Sequence, residues 1–134
     1  MTDAESRRRP VQLSAAAALV SLEGLAALVF GVLEIGEIRL FRAVVGVGVA
    51  LLMIGFAVLL LAAARGLLRL RRWARGPVVA LQLIIGLTGW SFRGGETTPV
   101  AVVMIAVAVL TLVLVLHPAA TRALVGDADA APSA

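Results

Sequence analysis

The sequence predicts an all-α polytopic membrane protein, a single domain over 1–134 built as a bundle of four transmembrane helices with a short amphipathic, Arg-rich cytoplasmic linker. Three observations predict it. Of the 134 residues, 61% are hydrophobic and 15% charged, and the mean hydropathy is +1.05, whereas soluble domains carry roughly 45–50% apolar and about 25% charged residues. A 13.8 kDa chain keeps much of its surface exposed, so no soluble core of that size buries this apolar fraction. Four apolar stretches also match, or nearly match, the roughly 20 residues that cross a bilayer core about 30 Å thick. A water-soluble enzyme, a disordered chain and a secreted disulfide scaffold are thereby excluded. Cysteine is absent, which removes thiol chemistry and thiolate metal sites.

The first span runs over 11–33 and contains one charge, Glu23. The second, 43–64, contains none. The third, 77–92, is the shortest and recruits Trp73 and Ala74, and the fourth covers 99–116. Short gaps make consecutive helices antiparallel neighbours. Gly76-Pro77 opens the third span, and Gly94-Gly95 breaks the chain after it. Thr97-Thr98-Pro99 offers a hydroxyl cap followed by Pro at the first helical position, where the missing N–H costs nothing. Trp73 and Trp90 are separated by about 25 Å of helix rise, which suits interfacial anchors at the two headgroup belts. The tails 1–9 and 118–134 are short and polar or Ala/Pro-rich, and are expected to be mobile.

Arginine supplies every basic charge and sets the orientation. Arg7, Arg8, Arg9, Arg65, Arg69, Arg71, Arg72, Arg75 and Arg122 fall on one side of the predicted topology, against Arg39, Arg42 and Arg93 on the other. Nine against three predicts a multi-pass protein of the plasma membrane with both termini cytoplasmic. Ser6-Arg7-Arg8-Arg9 faintly matches a twin-arginine signal, but Pro10-Val11-Gln12 follows and no small-residue cleavage site closes the apolar run, so an uncleaved first helix is expected.

Glu23 is the one ionisable residue inside a span, about 15 Å into the bilayer. An acidic side chain at that depth is costly, with Asp at about 2.5–3.5 kcal/mol on insertion scales. Helical spacing puts Ala16, Val20, Ala26, Ala27 and Phe30 on or beside its face, and small residues there permit close helix approach. Glu23 is therefore either a proton- or cation-binding carboxyl or a neutral acid hydrogen-bonded to a neighbouring helix. Gln82 on the third span lies at comparable depth, stacked with Gly86 and Gly89 over a groove that admits another backbone. A Glu23–Gln82 bond serving as structural glue is the expected arrangement, with Thr88 and Thr111 as weaker polar candidates. On the second span Gly46, Ala50, Met53 and Ala57 share a stripe and Gly48 and Gly55 stand seven apart, which suits a dimer face or intramolecular packing.

Between the second and third spans, 65–76 carries Arg65, Arg69, Arg71, Arg72 and Arg75. At helical periodicity these fall opposite Leu67, Leu70, Trp73 and Ala74, with Leu68 the exception. Such a stretch lies in the headgroup plane and attracts anionic lipid at about 1 kcal/mol per basic residue, although topology enforcement alone also accounts for the charge. Nucleic acid is not an expected partner. His117 has neither a Cys nor a second His for metal binding and is placed at the C-terminus of the fourth span. There is no HExxH, no intramembrane Asp pair, no dinucleotide fingerprint around Gly46 and Gly48, and no His beside Ser14 or Ser21. The chain is expected to be no enzyme and to hold no cofactor.

Several phrases together carry a resemblance: Leu22-Glu23-Gly24-Leu25-Ala26-Ala27-Leu28, Ala64-Arg65-Gly66-Leu67-Leu68, Arg71-Arg72-Trp73-Ala74-Arg75-Gly76-Pro77, the following Gln82, and Pro118-Ala119-Ala120-Thr121-Arg122-Ala123-Leu124. From about Leu19 to Leu124 the chain resembles the small, functionally uncharacterised four-helix integral membrane proteins of actinobacteria. That resemblance implies a membrane bundle and brings no catalytic role. Four short helices with a lone Glu in the first are also similar to small multidrug resistance transporters, whose carboxyl exchanges protons for cationic drugs. Tyr is absent, however, and the arginine asymmetry opposes the dual orientation many of those proteins adopt. The expected function is a structural or accessory membrane protein that interacts with lipid, with itself or with a larger complex. Its alternative is a small proton- or cation-coupled transporter working through Glu23.

Overall fold

The computed structural model describes residues 9–36 and 43–125. Five α-helices follow one another: α1 (Val11–Gly36), α2 (Ala43–Leu68), α3 (Arg75–Ser91), α4 (Thr98–Leu116) and α5 (Pro118–Val125), with 3-10 turns at Arg72–Ala74 and Gly95–Thr97. The protein is all-helical in the described residues, and three segments, Val11–Gly36, Ala43–Leu68 and Gly95–Leu116, are long and apolar enough to cross a membrane. The stretch expected as the third span forms the helix α3, whose 17 residues leave it outside the three helices that qualify as candidate membrane spans.

Two antiparallel hairpins make up the bundle. α1 and α2 approach most closely at Gly24, which faces Leu60 and Leu61, and at Gly31, which faces Ala50, Met53 and Ile54. A Cβ at Gly31 would come within 3.3 Å of the Ala50 carbonyl oxygen, so the missing side chain is what lets the backbones close. α3 and α4 pair in the same manner: Gly89 lies against Ala101, Met104 and Ile105, and Gly86 against Ala108. The groove expected beside Gln82 is thus filled by α4. Gly46, Ala50 and Ala57 are buried, whereas Gly48 and Gly55 are exposed with nothing within 4 Å of an added Cβ. The second-span stripe therefore serves packing within the chain.

The hairpins join at the arginine-rich end. There Leu13, Ala16, Ala17 and Val20 of α1 meet Leu60, Ala63, Ala64 and Leu67 of α2, Val78 and Leu81 of α3, and Val115 of α4 in one buried cluster. Toward the other end the stripe of α1 that continues this contact opens out: Val20 is fully buried, Glu23 and Ala27 are half-buried, and Phe30 is 54% exposed. Ala26, expected beside the Glu23 face, is exposed as well. In that half each hairpin is closed by its own glycine contacts.

The arginine-rich linker differs from the continuous amphipathic helix that its periodicity suggests. α2 persists to Leu68, the chain reverses through Leu70 at φ 54°, and Arg71 is extended ahead of the 3-10 turn. The Arg69 and Arg71 amides both donate to the Gly66 carbonyl, closing the turn. A straight helix through this stretch would carry Ala74 and Val78 away from the core. The reversal instead seats Ala74 against Gly66, fully buried. The separation of side chains survives: Leu67 and Ala74 are buried, Leu68 and Leu70 pack against the cluster, and Arg65, Arg69, Arg71 and Arg72 are exposed.

Two further expectations are corrected. The segment after the fourth span is not a free tail, because α5 covers Pro118–Val125 and buries Ala120 and Leu124 in the shared core. His117 does end α4, as its C-cap, but its side chain serves the next helix: its Nδ1 accepts from the Ala119 amide at 3.2 Å, and its carbonyl accepts from the Thr121 amide at 2.9 Å. With Pro118 next, His117 is the N-cap of α5. At the opposite end of the bundle Pro99 does lie in the first turn of α4, but no hydroxyl caps that helix. Thr97 donates instead to the carbonyls of Phe92 and Gly94, and the Gly94 amide donates to Thr98, which ties down a loop whose Gly94 and Gly95 both have positive φ. The tail residues 1–8 and 126–134, and 37–42 with Arg39 and Arg42, lie outside the described residues.

Candidate functional site

Glu23 sits near the middle of α1, one turn past Val20, on the side of the helix that meets the second hairpin. The helix places it there because Val20, one turn earlier, is held in the shared core and Gly24 is held against α2. Gln82 occupies the middle of α3, next to the core residue Leu81, and has no exposed surface. The two side chains meet: Gln82 Nε2 donates to Glu23 Oε2 at 2.5 Å. The hydrogen bond therefore links the first hairpin to the second, one turn beyond the apolar cluster.

Thr111 belongs to the same level. In the antiparallel α3–α4 pair Gly86 faces Ala108, so one turn toward the arginine-rich end Gln82 and Thr111 come level. One further turn along, Val78 and Val115 share the core. Thr111, like Gln82, has no exposed surface. Three helices thus each contribute one polar side chain to a single layer between apolar ones. Sequence reasoning had placed Thr111 among weaker candidates, since a lone Thr on an apolar helix carries no periodic signal. Thr88, the other such candidate, is half-buried on α3.

Other polar groups are occupied locally. Ser21 donates to the Ala17 carbonyl at 2.7 Å and Ser91 to that of Leu87 at 3.1 Å, in each case within their own helix. Trp73 and Trp90 are 52% and 59% exposed near the two ends of α3. The Arg93 guanidinium lies over the Trp90 ring, 2.9 Å from its centroid, and its Nε donates to the Trp90 carbonyl. This pairing was missed from sequence, although an Arg three residues after an interfacial Trp at a helix end is its signature. At the other end Arg65, Arg69, Arg71 and Arg72 are exposed and Arg75 half-buried around the turn. Among the described residues no group of three or more His, Cys, Asp or Glu could hold a metal ion.

The layer provides one acid, one amide and one hydroxyl, held by packed helices in apolar surroundings. Such a set binds a proton or a small polar ligand, or fastens helices together. No family model, curated protein or solved structure matches the chain.

Proposed function

We propose that this is a four-span integral protein of the plasma membrane with both termini in the cytoplasm, acting as a structural or accessory component without catalysis or cofactor. Its partners are membrane lipids and either further copies of itself or a larger membrane complex, and not nucleic acid. The reading extends to α3 as a fourth crossing, because its antiparallel packing against α4 gives it the same course through the bilayer. Its 17 residues rise about 25 Å, a mismatch that local bilayer thinning accommodates at modest cost. Trp73 and Trp90 then anchor it at the two interfaces, and Arg65, Arg69, Arg71, Arg72 and Arg75 meet anionic headgroups on the cytoplasmic side.

The observation that carries the accessory reading is the bond between Glu23 and Gln82. The acid at the middle of the first span is engaged by a fully buried amide from the other hairpin, which is what a fastening between helices requires. Single-cysteine labelling tests the topology, since the chain has no native Cys. Labelling from outside is expected at Gly36→Cys and Gly95→Cys, with protection at Ser6→Cys and Ser133→Cys; labelling of either terminus in intact cells would sink it. Native mass spectrometry from mild detergent tests the role, with a stoichiometric partner or homo-oligomer expected and a bare monomer contradicting it.

One observation favours a second reading, proton- or cation-coupled transport. Glu23 is only half-buried where Gln82 is fully buried, and the hairpins diverge beyond it. Glu23 Oε1 is itself covered, so transport would require the hairpins to part further before a coupling ion could reach the carboxyl.

A further inference from the structure

The reversal at Leu70 gathers charge that a straight helix would spread out. Along such a helix Arg65 and Arg75 would stand about 15 Å apart. Instead a Cβ at Gly66 would lie 2.6 Å from that of Ala74, so Arg65 and Arg75, the chain neighbours of these two residues, flank a single contact. Two stacked pairs of arginines result, one on each arm of the turn. The Arg69 amide donates to the Arg65 carbonyl at 3.0 Å, which sets these two one turn apart at the end of α2. The Arg75 amide donates to the Arg72 carbonyl, which sets the second pair one 3-10 turn apart at the entry to α3. Arg65, Arg69 and Arg72 are exposed and Arg75 is half-buried. The described carboxylates lie elsewhere: Glu23 in the middle of α1, Glu34 near its far end and Glu96 in the opposite loop. Between the arms the Trp73 ring rests against Gly66, its Cζ2 3.2 Å from the added Cβ, and the residue is 52% exposed.

We propose that this turn is a binding site for a lipid whose headgroup links two phosphates, one held by Arg65 and Arg69 and the other by Arg72 and Arg75. Guanidinium forks match phosphate oxygens bidentately, and two forks on successive turns suit one phosphate. A single-phosphate headgroup satisfies one pair and leaves the other uncompensated across the turn. Two phosphates joined in one molecule engage both pairs, because the second contact is then intramolecular. The half-exposed indole between the arms favours a lipid over a soluble diphosphate, since a ring of this kind sits at the headgroup level with its apolar body toward the acyl chains. The proposal rests on the reading of these arginines as headgroup contacts and names the headgroup they take.

Lipid-stripped protein in mild detergent is titrated with diphosphatidylglycerol or with phosphatidylglycerol at equal phosphate, and the thermal midpoint is followed by helical circular dichroism. Half-maximal stabilisation is expected at a phosphate concentration at least about tenfold lower for the two-phosphate lipid. Arg65→Gln/Arg69→Gln and Arg72→Gln/Arg75→Gln should each bring the two lipids to parity, whereas Arg93→Gln at the opposite end should keep the preference. Each variant is compared with its own lipid-free midpoint, so a change in basal stability does not enter. Parity in the wild type, or a preference that survives in either pair variant, would overturn the proposal while leaving contact with anionic headgroups standing. No response to either lipid would remove both. Stabilisation by inorganic pyrophosphate equal to that by diphosphatidylglycerol would assign the pairs to a soluble anion and refute the lipid site.

Discussion

Replacing Gln82 by Leu keeps the side-chain volume close to constant and removes the donor that Glu23 Oε2 receives. Gln82 has no exposed surface, so a Leu there meets the same neighbours and leaves little cavity. The cost therefore falls on Glu23, which is left in apolar surroundings without its amide partner. Stranding a buried polar group costs about 1–3 kcal/mol. Measured coupling between hydrogen-bonded side chains inside membranes is smaller, averaging about 0.6 and reaching about 1.7 kcal/mol, because the unfolded chain in the bilayer finds other partners. Gln82→Leu should thus destabilise by about 1–2 kcal/mol, and the pairwise coupling should be about 1 kcal/mol. The informative comparison is the double variant. Glu23→Leu/Gln82→Leu removes both polar groups and should recover at least half of the loss seen in Gln82→Leu alone, because no stranded carboxyl remains. Reversible unfolding by sodium dodecyl sulfate in mixed micelles, followed by Trp fluorescence, suits the measurement, since Trp73 and Trp90 flank α3. A Gln82→Leu variant as stable as the wild type, or a double variant whose loss is the sum of the single ones, would refute the clasp between hairpins.

Gly66→Ala should destabilise by about 1–3 kcal/mol through overpacking, despite a helix-propensity gain of about 1 kcal/mol, because its Cβ would lie 2.6 Å from that of Ala74. Gly48→Ala, with open space around it, should be neutral or stabilising, and the same detergent titration distinguishes the two. His117→Ala should weaken α5 by about 0.5–2 kcal/mol, read as faster amide exchange over 119–125 with the Trp unfolding transition unchanged. Changing Arg71, Arg72 and Arg75 together to Gln should lower retention of anionic phospholipid in native mass spectrometry, at about 1 kcal/mol for each arginine removed. Equal retention would restrict these residues to setting topology.

Three long apolar helices were legible because a membrane helix announces itself by composition over a long window, and Glu23 and Gln82 stood out as polar residues in otherwise apolar stretches. Their meeting followed from depth alone. What escaped had a physical reason in each case. The reversal at Leu70 is marked by no Gly or Pro, and only the burial of Ala74 against Gly66 fixes it. α5 is eight residues long and follows a Pro, so it read as tail, and its helicity comes from the His117 cap and from docking Ala120 and Leu124. Ala26 and Phe30 were assigned to the Glu23 face by spacing, but the divergence of the hairpins exposes that end of the stripe. Divergence is a property of two helix pairs and leaves no mark on a single helical wheel.

The central claim is that Glu23 fastens helices and does not carry a coupling ion, and Glu23→Gln tests it most directly. Gln retains the acceptor that Gln82 donates to and adds an amide donor of nearly the same shape, while it cannot titrate. Wild-type protein and Glu23→Gln, reconstituted into vesicles with an imposed pH gradient, are compared for proton-coupled uptake and for assembly. The account predicts that assembly and stability are preserved and that neither protein shows gradient-driven uptake. Proton-coupled transport by the wild type that disappears in a correctly assembled Glu23→Gln would contradict it.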